Sequence, residues 1–241
     1  MLNILANERM KLKRNKLLPA CSLIALLIPV LMVLADLREQ ESITEMMSGI
    51  EWLRRLIIPI QIIVYPVLSG FVLTFLVQKE YVEHTMINTL TAPINRVKFL
   101  LGKYLVWTMW FLLISIGFTI VACGGYAILF GTSELNSSLG EIIELCLKTG
   151  LLSLLSMSPM LIVCVLQRST FYPSLLFSCG VSGVGFIGLY WSENIRNLIP
   201  WSAVTSVTLL DAHGLLPYIT IFVCYVVGLL GSSYCFSRQN L

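Results

Sequence analysis

Apolar residues gather in six long runs, at roughly 17–35, 56–77, 104–130, 146–166, 171–191 and 214–236. About 20 apolar residues in a helix cross a bilayer. The pattern therefore predicts an all-α membrane protein with six transmembrane helices in one transmembrane domain over 1–241. The third run is long enough to tilt. Only Gln167, Arg168, Ser169 and Thr170 separate the fourth and fifth runs, so these two predict a tight helical hairpin. Pro19, Pro29, Pro59, Pro66, Pro159 and Pro173 fall within or beside the runs. Membrane helices tolerate proline because neighbouring groups take up the freed carbonyl.

The polar intervals carry as much information. Residues 1–16 step Leu2, Leu5, Arg9, Leu12 and Lys16 at helical spacing, with basic residues towards the end. They predict an N-terminal amphipathic helix lying in the interface, drawn there by anionic lipid. Residues 36–55 predict an acidic outer loop with a helical pattern. Residues 78–103 predict the largest loop on the other side. Residues 192–213 hold Ile199, Pro200, Trp201, Val204, Val207, Leu209 and Leu210. That stretch is too apolar for a free loop and too broken to span. It predicts an extracellular re-entrant or interfacial helical pair before the last span.

Composition agrees. Apolar residues make up 57% of the chain and charged residues 12%, about half the charge of a soluble domain. The net charge of +3 is too small to indicate a nucleic-acid partner. Its distribution orients the bundle, because cytoplasmic loops are rich in Lys and Arg. With the N-terminus inside, 11 of the 16 Lys and Arg face the cytoplasm, and ten of the thirteen acidic residues face out. Both termini are then cytoplasmic. The first run follows a basic leader without a small-residue cleavage site, so it reads as a retained helix.

Several function classes lose support. The spans hold almost no ionisable side chain away from their ends; Gln61 is the one strongly polar residue well inside the second, and Lys148 sits at the outer edge of the fourth. Ion-coupled transporters need buried acids or bases, and channels need a polar lining. Discontinuous helices around a midplane site are not evident. The seven cysteines show no metal spacing and read as packing residues. His84 and His213, the two histidines, fall on opposite sides of the membrane. No catalytic constellation is expected, and no bound metal or cofactor. A nucleotide-binding loop is absent too. Gly102-Lys103 is followed by Tyr104 where Ser or Thr is required, and Val97 stands where the first glycine belongs. Any ATP-driven work therefore needs a separate motor subunit.

The loop after the second span has a specific order. Glu80 ends the span, Thr85 opens a short helix, Leu90 precedes Pro93, Arg96 follows three positions later, and Gly102-Lys103 leads into the third span. The residues alone describe a short interfacial helix broken at Pro93. A second amphipathic segment follows, with Val97, Leu100 and Leu101 towards lipid or protein and Arg96, Lys98 and Lys103 towards phosphates or a partner. This loop resembles the first cytoplasmic loop of permeases of type-2 ABC transporters, although His84 stands where that family often has glycine. Glu8, Lys11 and Lys13 resemble the family's connecting helix before the first span. The small size resembles the bacitracin-resistance and lantibiotic-immunity branch, which removes peptide antibiotics from Gram-positive cell membranes.

The resemblance implies that the loop is a cytoplasmic coupling helix docking on an ATPase subunit. Glu80, Thr85, Leu90, Pro93, Arg96 and Lys103 would carry that contact. It also implies two ATPase copies, which would bind ATP and Mg, and a second permease, identical or homologous. In the fifth run Ser174, Ser178 and Ser182 recur every four residues, a spacing that lets helices pack closely, within one bundle or between subunits. Two other readings stay open: a non-transporting immunity, sensor or scaffold protein, and an exporter of a lipid or polysaccharide.

Overall fold

The computed structural model describes residues 16–82, 96–167, 170–212 and 214–238, and leaves out the side chains of residues 80–82 and 96. These residues form helices, with no strand among them. Six helical stretches are long and apolar enough to cross a membrane. The first is α1 (Leu17–Arg38). A short α2 (Gln40–Met46) follows. The second crossing is composite: α3 (Gly49–Pro59), a π-helical turn (Ile60–Val64) and α4 (Tyr65–Val82). The third is α5 (Arg96–Phe130). The fourth is α6 (Thr132–Ser156), a turn at Met157–Pro159 and α7 (Met160–Leu166). The fifth is α8 (Tyr172–Ile187) with a 3₁₀ turn at Gly188–Tyr190. A helical pair, α9 (Glu193–Leu198) and α10 (Pro200–Thr208), precedes α11 (Leu216–Ser237).

The bundle has a basic end and an acidic end. Lys16, Lys79, Lys98, Lys103 and Arg238 mark the first; Asp36, Glu51, Glu134, Glu193 and Asp211 mark the second. At a rise of about 1.5 Å per residue, α5 is about 50 Å long, well beyond the roughly 30 Å hydrocarbon layer. It turns straight into α6 at Gly131, whose φ of +92° suits glycine.

Three expectations are corrected. The second crossing starts at Gly49, not near residue 56. Ser48 caps it: its hydroxyl accepts the Glu51 N–H while Glu51 accepts the Ser48 N–H at 2.9 Å. That reciprocal box satisfies two helix-end donors and starts a helix inside a charged stretch. The segment 97–101 is not a separate interfacial piece but the first turns of α5. Lastly, two crossings are interrupted, one by the π-turn and one by the turn at Pro159, where no discontinuity was expected.

Lipid offers no hydrophobic drive between helices, so close packing holds the bundle. Trp52, Trp107, Phe111, Phe118 and Phe236 are fully buried. Trp52 meets Tyr126 edge-on at 6.2 Å and Phe130 at 5.9 Å, joining α3 to α5. Gly228 lets α11 lie directly on the Ser158–Pro159 backbone at the break in the fourth crossing. Lys148 sets its ammonium 5.9 Å from the Tyr218 ring centre, over the face.

Candidate functional site

The segment expected to act as the coupling helix enters and leaves at the basic end. Its first flank is the last turn of α4, which runs through Glu80 to Val82, and its second is Arg96, the first residue of α5. These antiparallel helices pack on each other. Thr85, Leu90 and Pro93 lie outside the described residues, as do Glu8, Lys11, Lys13 and both histidines.

Lys103 departs from the outward position expected of it. It is buried, with Nζ 5.3 Å from the Phe99 ring centre. Phe99 stacks in turn on Phe236 at 6.3 Å. The cause is the early start of α5: Lys103 is two turns inside the helix, on a face that packs against the bundle. Its aliphatic stem suits that face, and the ring provides a negative surface for its ammonium.

A polar clamp fastens α4 to the α7–α8 hairpin. The Gln167 side chain accepts the Ser174 N–H at 2.9 Å and donates to Ser174 Oγ at 3.0 Å. Thr74 Oγ1 donates to the same Ser174 hydroxyl, and lies 3.6 Å from Cys164 Sγ. Gln78 Nε2 donates to the Thr170 carbonyl. The last turns of α4, from which residues 83–95 depart, are thus tied to the helical hairpin. Ser178 also points into the bundle, donating to the Ser174 carbonyl at 2.9 Å, and packs so tightly on Gly70 that a β-carbon there would overlap it. Ser182 is half-buried, with its hydroxyl enclosed and unpaired. Ser174 and Ser178 therefore serve the contact between α8 and α4; Cys179 and Gly183 occupy the exposed face.

The acidic end is held by different chemistry. Buried Asp36 accepts Trp52 Nε1 at 2.8 Å and Arg55 at 3.2 Å. Arg54 donates to the Leu209 carbonyl at 2.7 Å and pairs with Asp211. Deeper, Gln61 on the π-turn donates to Thr205 at 2.9 Å and accepts from Thr208 at 2.7 Å. Trp201 reaches across to the Ser156 carbonyl at 3.0 Å, beside the break in the fourth crossing. Residues Ser202–Thr208 of α10 are all buried. The α9–α10 pair is therefore locked by side-chain hydrogen bonds to both interrupted crossings. Sequence reading marked Gln61 as polar but did not pair it with α10, and it left Asp36, Arg54 and Arg55 in a loop.

Among the described residues no cluster of histidine, cysteine or carboxylate side chains could hold a metal ion. What the geometry offers is mechanical. Helix α4 is clamped at its basic end and, through the π-turn, latched to α10 at the other. A sequence model described as ABC-2 family transporter protein matches residues 4–185. The chain belongs to this family. As an ABC-2 permease it is a multi-pass membrane protein, and the match takes in most of the leader, the segment between the second and third crossings and the first four crossings, ending within α8. The chain is also similar to a bacitracin transport permease protein of Bacillus licheniformis, 29% identical over 140 residues. The match covers 57% of this chain, which spans 64% of that relative's length.

Proposed function

We propose that this ABC-2 chain is the membrane subunit of an ATP-driven exporter that takes an amphipathic, membrane-bound peptide antibiotic out of the bilayer. Family membership carries the reading, and the similarity to a bacitracin transport permease supports the substrate class. The basic end faces the cytoplasm, and both termini lie there. A cytoplasmic ATPase subunit, which alone binds ATP and Mg, docks on residues 83–95. Two such ATPase copies work with two permeases, and the substrate moves along an apolar path between the permeases.

The clamp supplies the lever. A push on the coupling segment reaches the last turn of α4, where Glu80 anchors the segment. Thr74 and Gln78 pass that push to the α7–α8 hairpin rather than letting the helix end fray. The displacement runs along α4 to the π-turn and, through Gln61, to α10 at the outer surface. Within the membrane this path runs through hydroxyl and amide side chains rather than charged ones.

The test is transport in proteoliposomes holding this chain and its ATPase subunit, using fluorescent bacitracin as the probe. Wild type should lower the membrane-bound probe only with ATP, and Glu80→Ala should hydrolyse ATP with reduced export. Undiminished coupling in Glu80→Ala removes that residue from the mechanism. Probe binding with no ATP dependence favours a non-transporting immunity protein. ATPase coupling that ignores peptide antibiotics but responds to lipid favours a lipid exporter.

A further inference from the structure

Where the two interrupted crossings meet α10, they border a cavity of about 10 Å³. That is the smallest space that admits one water molecule. Its wall is polar in a directed way. Ser153 lines it, and its Oγ is buried with no hydrogen-bond partner. A buried orphan hydroxyl is destabilising, so a partner inside the cavity has a clear gain to offer.

The opposite wall also lacks partners. Pro66 lines the cavity and has no N–H, so a carbonyl in the preceding turn loses its helical donor. That turn is the π-helical segment, where the Tyr65 N–H bonds back to the Ile60 carbonyl. Gln61, also on the wall, has two amide hydrogens and gives one to Thr205. Residues that carry an unpaired hydroxyl, a carbonyl freed by proline and a second amide hydrogen thus border one small space. Internal waters have two to four such partners, and membrane helices broken by proline are repaired in this way.

We propose that this cavity binds a single internal water, which bridges Ser153 on α6 to the Gln61 turn between α3 and α4. The water replaces the helical hydrogen bond lost at Pro66. It joins the two interrupted crossings at one point, beside the latch to α10.

X-ray hydroxyl-radical footprinting tests this, because a bound water generates radicals beside the residues it touches. Met157 lines the cavity and is 3% exposed; Met160 is 0% exposed and does not line it. Met157 should oxidise several-fold faster than Met160 in the wild-type protein. Gly185→Ala places a methyl at the cavity wall, 3.7 Å from Ile62, an ordinary contact that leaves the fold intact. In that variant Met157 should fall to the Met160 rate. Equal rates in wild type, or an unchanged Met157 rate in Gly185→Ala, overturns the site.

Discussion

Gly228→Ala should destabilise the protein more than its one added methyl suggests. The new β-carbon would lie 2.5 Å from the Ser158 carbonyl carbon and 2.7 Å from the Pro159 nitrogen. Carbon contacts settle at about 3.5–4.0 Å, so α11 must retreat by about 1 Å. The opposing backbone has little room to yield. It sits in the 157–159 turn, where the Met157 N–H bonds the Ser153 carbonyl at 3.1 Å and the Met160 N–H bonds the Met157 carbonyl at 3.0 Å. Retreat also stretches the contacts of Ser158 Oγ with the Cys224 and Tyr225 carbonyls, now 3.2 and 3.3 Å. Overpacking costs about 1–3 kcal/mol and the weakened hydroxyl contacts about 1 kcal/mol. The sum, about 2–4 kcal/mol, lowers the melting temperature of a chain this size by about 5–15 °C. A thiol-reactive dye in detergent reads it, because Cys146 and Cys164 are fully buried until unfolding. Gly183→Ala is the control: a β-carbon there meets nothing within 4 Å, and alanine favours the helix by about 0.5–1 kcal/mol. If the two variants melt together, the contact between α11 and the broken crossing is not what limits stability.

Trp52→Phe keeps a ring against Tyr126 but removes the indole donor to buried Asp36; a lost hydrogen bond to a charged group costs about 1.5–3 kcal/mol, and adding Asp36→Asn should recover part of the loss in the same melting assay. Asp211→Ala removes the partner of Arg54, yet that pair is solvent-accessible on both sides, at 27% and 55%, so the melting temperature should move little, by the equivalent of about 1 kcal/mol or less. A larger drop would mean that this pair, rather than the Arg54 bond to the Leu209 carbonyl, holds the loop after α10.

The crossings were legible because each contains a long apolar window, and the fifth crossing, Tyr172–Tyr190, and α11 fall within a residue or two of expectation. The start of the second was hidden by Glu51, Arg54 and Arg55, which depress its apolar average. The helix there is amphipathic, with Trp52, Leu53, Leu56 and Ile57 buried on one side. Ser48 and Glu51, at capping-box spacing, were the signal that would have placed its start. The breaks were harder to foresee. Pro29 sits inside α1 and leaves it continuous, whereas Pro159 falls in a turn. The difference lies in tertiary partners: Gly228 opens space for the Ser158–Pro159 backbone, and Trp201 takes up the Ser156 carbonyl. Lys103 was misplaced for the same reason. Its charge argued for the surface, while the pairing with Phe99 and the length of α5 become visible only in three dimensions. The segment between the second and third crossings leaves the last turn of α4 and re-enters at the first turn of α5, and the clamp through Thr74, Gln78 and Ser174 had no sequence signal because its bonds join residues 92 and 100 positions apart.

The central claim is that an ATPase subunit grips this chain at residues 83–95. Liposome flotation tests it directly. The purified ATPase subunit is mixed with vesicles carrying either the wild-type chain or a chain whose residues 83–95 are replaced by a Gly/Ser linker of equal length. The ATPase should float with wild-type vesicles and stay at the bottom with the linker variant, while both chains show the same melting temperature. Equal flotation with both chains, or none with wild type, would contradict the account.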